Sequence, residues 1–419
     1  MAAYATGLAR SLGGAILAME TSHAPADCKT LCPHAGEGGL ATWQRALAET
    51  QPGVVWVQEP AAIRPAMLLD LGERGIPYAI FLHDFTPVCP THRLWHKHQE
   101  ICSGPGKIGW KCAYCVTPSW RQWAELPWRT VLFRHRPQDW RTALIRADAL
   151  IVPSRFARDY WISLGAPPER LLLAPPLAPE TVPSPPNPVN GPVSRLVFTG
   201  SDSADGVEML GAALDLVRSS VGVVFTAHFA PDEQRNLREG VAARHRVEFD
   251  VNAIVGRGDV AVFPARWEPS SPLEVLRAQW AGARVVATAM GAYPEALIHG
   301  VNGYLAGRDD PPALAEAIQE ACEPRPASWA DPSGENLLHQ AGLGRKRLQC
   351  LLELMGSGTS EPALEAGHGA WLDKVARRSG DRESDRQRLI SALRLLPLAA
   401  EPAPDEQIFA QRARALGRT

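Results

Sequence analysis

Residues 259–305 read DVAVFPARWEPSSPLEVLRAQWAGARVVATAMGAYPEALIHGVNGYL. An apolar run, VAVFP, gives way to a short polar loop. A helical stretch then begins at Pro272, and a second apolar run, RVVAT, follows it. Strand, helix and strand at this spacing make one α/β unit of a parallel sheet. The helix start has its own signature. Ser271 can cap it, Pro272 suits the first helical position, and Glu274 completes an S-x-x-E capping box. Free amides in such a first turn favour an anion. Ser270, Ser271 and the amides of Leu273 and Glu274 are therefore the first candidates for holding one.

The alternation extends outward. Strands are expected at RLVFTG (195–200), VGVVFTAHF (221–229) and HRVEFD (245–250), and helices at 204–220 and 311–321. An earlier series runs from 42 to 176. Helices at 42–50, 64–75, 139–147 and 154–165, the last capped by Ser154, alternate with strands at 53–58, 77–84, 148–154 and 170–176. Residues 174–192, APPLAPETVPSPPNPVNGP, are too rich in proline for a helix or a central strand and read as an extended linker. Near the start, Tyr4, Leu8 and Leu12 share a helical face and AILAM (15–19) reads as a short strand. The opening strand and Gly-rich turn of an α/β unit are missing there. The expected organisation is a first Rossmann-like domain over 1–175, a linker over 176–192, a second over 193–322, and a helical or partly disordered tail over 323–419.

Composition narrows the function classes. A chain of 419 residues is too long for one ordinary core. Its net charge of −2 exerts no general pull on nucleic acid or acidic membranes. The start, MAAYATGLARSLGG, has no basic segment followed by a long apolar run, and no window is long and apolar enough for a transmembrane helix. A cytoplasmic location, with an option at the inner face of the membrane, is the expectation.

Three segments together resemble the family 4 glycosyltransferases of the GT-B fold, over roughly residues 1–320. They are HDFTPVCP (83–90), RADALIVPSRFARDYWISLGAPPERLLLAPP (146–176) and the 259–305 segment. The resemblance implies two Rossmann-like domains facing across a cleft. It implies sugar transfer with retention from a nucleotide-sugar to a glycan or lipid-linked acceptor, in the service of a surface glycan or glycoconjugate. The first domain holds the acceptor and the second the donor. No metal is needed at the diphosphate, so cationic groups and helix N-termini must stabilise it.

The donor motifs depart from the family pattern. Aligned on Gly282, the family's two glutamates fall at Pro269 and Arg277. Glu268, one position early, is the candidate for sugar hydroxyls. Arg277 is donor-only and cannot accept from a ribose diol. Glu274, one turn before it, can take the ribose or pair with Arg277. The family's Arg and Lys after the strand that ends at Gly200 are replaced by Ser201 and about Asp205. Each lost charge-assisted contact costs about 1.5–3 kcal/mol unless Arg257, Arg266 or Arg277 substitutes. Gly291 and Glu295, in GAYPE, fit the donor-loop pattern.

On the acceptor side, His83 ends an apolar strand, where side chains face the ligand crevice. The resemblance makes it a contact of the transferred sugar. Downstream, Cys89, Cys102, Cys112 and Cys115 are spaced C-x12-C-x9-C-x2-C. A structural zinc, scattered reduced thiols and a redox disulfide all remain open, with His92, His96 and His98 as spare ligands. Cys28 and Cys32 are a weak structural signal. Residues 119–141 interleave Trp120, Trp123, Trp128 and Trp140 with Arg121, Arg129, Arg134 and Arg136. Such a stretch is either an interfacial membrane helix or one that packs its aromatics inward. The reading is a retaining glycosyltransferase using His83 and Glu268. The rival is a degenerate GT-B protein that binds a nucleotide-sugar or a partner enzyme. A nucleotide-sugar epimerase on the same fold is a weaker third.

Overall fold

A computed structural model describes residues 17–18, 29–30, 39–52, 55–58, 60–105, 109–117, 120–174, 195–200, 202–256, 258–297 and 299–323. The expected helix at 2–12, the linker at 176–192, Cys28, Cys32, Ser201, Arg257 and the tail beyond 323 lie outside them.

The first domain contains a parallel pair, β1 (Leu17–Ala18) and β2 (Lys29–Thr30), and sheet strands β3 (Val55–Val57) and β4 (Tyr78–Phe81). It also has an antiparallel hairpin, β5 (Trp95–His96) and β6 (Glu100–Ile101), and sheet strands β7 (Ala149–Val152) and β8 (Leu171–Leu173). The sheet runs β3-β4-β7-β8, all parallel. Among the described residues β1 and β2 pair only with each other, and no strand before β3 joins this sheet. β4 and β7 are buried at every position, which is why YAIF and ALIV read as unbroken apolar runs. Trp140 and Trp161, each 1% exposed, fill the core between the sheet and two helices, Leu126–Arg146 and Arg155–Ser163.

The second domain has strands β9 (Leu196–Phe198), β10 (Gly222–Phe225), β11 (Arg246–Phe249), β12 (Val260–Phe263), β13 (Arg284–Thr288) and β14 (Tyr304–Ala306). They form one parallel sheet in the order β11-β10-β9-β12-β13-β14. Alternate residues supply its two faces. Leu196, Phe198 and Val262 join a core under the Val207–Leu216 and Pro311–Cys322 helices. Ala261, Phe263 and Val285 join one under the Leu273–Trp280 helix.

This strand order places the crevice. From β9 the chain moves one way along the sheet, and from β12 it moves the other. Ligands of such sheets bind at that reversal, beyond the C-terminal ends of the two strands. The helices beyond the sequence reading include the short Trp110–Cys115 and two with a clear physical cause. Pro231–Gly240 buries no residue, so it offered no apolar stripe. Leu126–Arg146 runs through Pro137, which hid its continuity with the expected 139–147 helix.

Candidate active site

Three loops of the second domain meet at the reversal point: 199–206 after β9, 264–272 after β12, and 289–292 after β13. Glycines set their spacing. Gly206 has φ +85°, and a Cβ there would lie 2.0 Å from the Pro264 carbonyl, so only glycine lets the first two loops touch. Gly291 has φ +50°, and its Cβ would lie 2.3 Å from the Pro269 carbonyl. The Ala292 amide also donates to the Pro269 carbonyl at 2.8 Å. Gly291 therefore brings the third loop against Glu268 and Pro269. Its freedom serves the close approach of the protein's own backbone. Gly200 admits Asp205, whose Cβ would lie 2.4 Å from an added Cβ.

The helix start differs from the expected one. The helix is Leu273–Trp280, with Pro272 as its cap residue and no side-chain cap. Ser271 Oγ accepts from the Leu273 amide at 3.3 Å. Glu274 does not close a capping box; its Oε2 accepts from the Tyr293 hydroxyl at 3.5 Å. Pro272 has no amide to offer, and the cap position tolerates that as well as the first helical position does. The Glu274 carboxyl is pushed up, first by burial and then by the charge of Asp205, with Arg93 opposing. Yet Glu274 also reaches solvent. Both hold for a residue lining a crevice, enclosed by protein and open at the mouth. The Arg277 side chain is exposed and makes no hydrogen bond or ion pair among the described residues, with Glu274 or any other group.

Ser270 requires a larger correction. It is 2% exposed. Its hydroxyl donates to the His83 carbonyl, and its own carbonyl accepts from Ser154 Oγ at 2.6 Å. Its hydroxyl and its carbonyl are thus committed to the first domain, and the Ser270 side chain is not available as an anion ligand. Ser154 also caps the Arg155–Ser163 helix, accepting from the Ala157 amide at 2.9 Å, as its sequence predicts. Glu295 crosses the cleft too. Its carboxylate accepts from the Arg155 and Phe156 amides at 2.9 and 2.7 Å, at the positive end of that helix. It is an interdomain cap where a donor-loop residue was expected. Burial raises its carboxyl, and the two amides oppose that rise.

His83 projects from the end of β4 and stacks on Phe81, with ring centroids 4.7 Å apart. Its Nε2 is buried without a hydrogen-bond partner among the described residues. Burial pushes its imidazole down to about 3, so the ring is neutral at ordinary pH. Glu268 is half-buried near Tyr160, whose hydroxyl is pushed up to about 12 by burial and then by the Glu268 charge. The crevice therefore gathers His83 and Tyr160 from one domain, and Glu268, Ser271, Glu274, Tyr293 and Arg277 from the other.

The segment carrying the four cysteines reaches across as well. Arg93 Nη1 lies 2.9 Å from Asp202 and 3.3 Å from Asp205. Arg266 Nη1 donates to Gln99 at 3.0 Å, and its guanidinium lies over the Trp95 ring. Arg93 drew no notice in the sequence, where it reads as a spacer between cysteines. Cys89, Cys102, Cys112 and Cys115 form no disulfide. Cys89 meets Thr91, Cys102 the Gly104 carbonyl, and Cys115 the Trp95 carbonyl. Among the described residues no three His, Cys, Asp or Glu groups are arranged to hold a metal. The Trp-rich segment divides: Trp140 is core, whereas Trp123 and Trp128 are 56% and 72% exposed. No described helix is long and apolar enough to cross a membrane.

Residues 193–323 match the family model described as "Glycosyl transferases group 1". No curated protein matches the chain. Solved structures share its architecture. HepE of Anabaena, determined with UDP and glucose, superposes with TM-score 0.52 at 15% identity, covering 79% of this chain and 87% of its own. Sucrose-phosphate synthase of Thermosynechococcus elongatus gives 0.54 at 17% identity, covering 84% and 90%. A glycosyltransferase of Rickettsia africae gives 0.55 at 11%, covering 84% and 92%. The fold is GT-B, as the sequence resemblance implies.

Two outcomes test this geometry. Glu295→Ala removes the interdomain cap and should cost about 1–2 kcal/mol of stability by calorimetry. It should also enlarge the radius of gyration in solution scattering; no change in either would show that the cap does not hold the domains. For His83, the unfolded ring takes a proton near 6.5 and the folded ring only near 3. The unfolded state binds more protons in that window, so stability falls as pH drops through it. His83→Gln should flatten this acid-side decline in melting temperature.

Proposed function

We propose that the chain is a retaining glycosyltransferase that moves a sugar from a nucleotide-sugar to a glycan or lipid-linked acceptor. The observation that carries this reading is the meeting of His83 with the 264–272 loop and the Leu273–Trp280 helix start at the strand-order reversal. A group 1 glycosyl transferase match over the second domain supports it, and so does the UDP and glucose held by HepE, a protein of the same fold.

In this reading the diphosphate lies at the Glu274 amide and at the Leu273 amide, which exchanges its long 3.3 Å bond to Ser271 Oγ for a phosphate oxygen, with the Ser271 hydroxyl beside them. No metal is needed there. The bond from the anomeric carbon to the diphosphate oxygen breaks, and the electron pair leaves with the diphosphate. The acceptor oxygen bonds the same carbon, and its proton passes to the departing diphosphate. The neutral His83 ring offers Nε2 to the transferred sugar, and Glu268 holds a sugar hydroxyl. Glu274, with its raised carboxyl, and Arg277 flank the nucleoside side.

A second reading, a GT-B protein that binds a nucleotide-sugar without transferring it, draws on the commitment of Ser270 to the first domain and on the carboxylates of Asp202 and Asp205. Calorimetry against UDP-, GDP- and dTDP-sugars, followed by donor hydrolysis and transfer assays, separates the two. The enzyme reading expects sugar-dependent binding and turnover, with turnover abolished and folding kept in His83→Ala. Binding without turnover would favour the second reading.

The exposed Trp123, Trp128, Val131 and Leu132, with Arg134 beside them, suit the headgroup region of a bilayer and would bring a lipid-linked acceptor to the cleft. Sedimentation with anionic liposomes should capture the chain, and Trp128→Ser with Leu132→Ser should reduce that capture several-fold. Absence of capture would count against it.

A further inference from the structure

The crevice holds negative charge where a diphosphate must enter. Asp202 and Asp205 lie on the loop after β9, and Glu274 lies in the first turn of the facing helix. Arg266, the cation of the 264–272 loop, is tied to Asp309 at 2.5 Å and to Gln99 at 3.0 Å. The cation that does sit among these carboxylates comes from the other domain. Arg93 donates through Nη1 to both oxygens of Asp202, at 3.1 and 2.9 Å, and pairs with Asp205 at 3.3 Å. Trp267 lies 5.5 Å from the guanidinium carbon, and its indole N–H donates to Asp205 at 3.3 Å. The Arg93 charge also reaches Glu274 and Tyr293.

A guanidinium has five N–H donors in a planar fork. Here only Nη1 is engaged; Nε and Nη2 make no hydrogen bond among the described residues, and the side chain is 33% exposed. Two carboxylates hold the group by its Nη1 corner, and the Trp267 ring lies beside it, while Nε and Nη2 stay without hydrogen bonds among the described residues. That arrangement is suited to bidentate capture of a phosphate.

We propose that Arg93, delivered across the cleft by the segment between Cys89 and Cys102, is the cation that binds the donor's diphosphate. It replaces the positive groups that the loop after β9 lacks. Asp202 and Asp205 position the guanidinium, while Nε and Nη2 take the phosphate oxygens opposite the Leu273 and Glu274 amides. The site is then complete only when the two domains are together, so diphosphate binding and domain closure reinforce each other. This inference rests on the nucleotide-sugar reading above.

The test is calorimetric titration of the full chain with UDP, GDP and the parent nucleosides, with melting curves to confirm folding. Arg93→Ala should weaken nucleoside diphosphate binding by about 10- to 100-fold while leaving nucleoside binding unchanged. Arg93→Lys should fall between. In Asp202→Asn the Asp205 carboxylate still holds Nη1, so the cation stays placed while one repelling charge is removed, and diphosphate binding should be preserved or tightened. If Arg93 is only a tie between domains, Arg93→Ala and Asp202→Asn will act in the same direction and shift diphosphate and nucleoside alike, which overturns the assignment. Equal diphosphate affinity in wild type and Arg93→Ala also overturns it while leaving the nucleotide-sugar reading intact. No binding of any nucleotide by the folded wild type overturns both.

Discussion

Ser270 fastens the two domains by its hydroxyl and its carbonyl. Its hydroxyl binds the carbonyl of His83, and its carbonyl receives the hydroxyl of Ser154. Much of the crevice follows from that pair of bonds. They bring the end of β4 and the start of the Arg155–Ser163 helix against the loop after β12. Glu295 then lies within reach of two amides that the helix would otherwise leave open. Gly291 completes the arrangement from behind, since no larger residue lets the third loop approach Pro269. A helix N-terminus that could have held an external anion is occupied by a carboxylate of the protein.

Charge is distributed in a way that neither domain explains alone. The loop after β9 is acidic, and its counterion arrives from the first domain on Arg93. Arg266 makes the reverse crossing to Gln99. These polar contacts lie at the cleft, partly open to water, where each alone contributes little to stability. Their value is geometric: they set which cations and carboxylates face the crevice when the domains meet. Deeper inside, burial keeps His83 neutral and raises the Glu274 carboxyl. The crevice can therefore offer uncharged hydrogen-bonding groups to a sugar beside charged ones for a phosphate.

Much of the architecture was legible in the sequence because it depends on local pattern. Apolar runs such as VAVF and RVVAT are strands buried on both faces, and a periodic stripe marks each amphipathic helix. The Ser154 cap, the glycines and the order of strands and helices are local features as well. Legibility ended where a pattern was missing or carried two meanings. The Pro231–Gly240 helix has no buried face to announce it. Pro272 fitted the first helical position by rule, yet it serves as the cap residue, because both choices satisfy a residue with no amide.

The sequence by itself determined two α/β domains, the loops that line their cleft, and the resemblance that names the fold. Each of these is written in spacing, and spacing acts between near neighbours along the chain. The tertiary structure alone decided what those loop residues touch. Ser270 and Glu295 look like ligand contacts in a linear reading, and both turn to the opposite domain. Arg93 looks like a spacer, and it lies against the Asp202 carboxylate 109 residues away. Hydrogen bonds and ion pairs are made over a few ångströms of space, so a partner so distant along the chain is invisible until the domains are placed together.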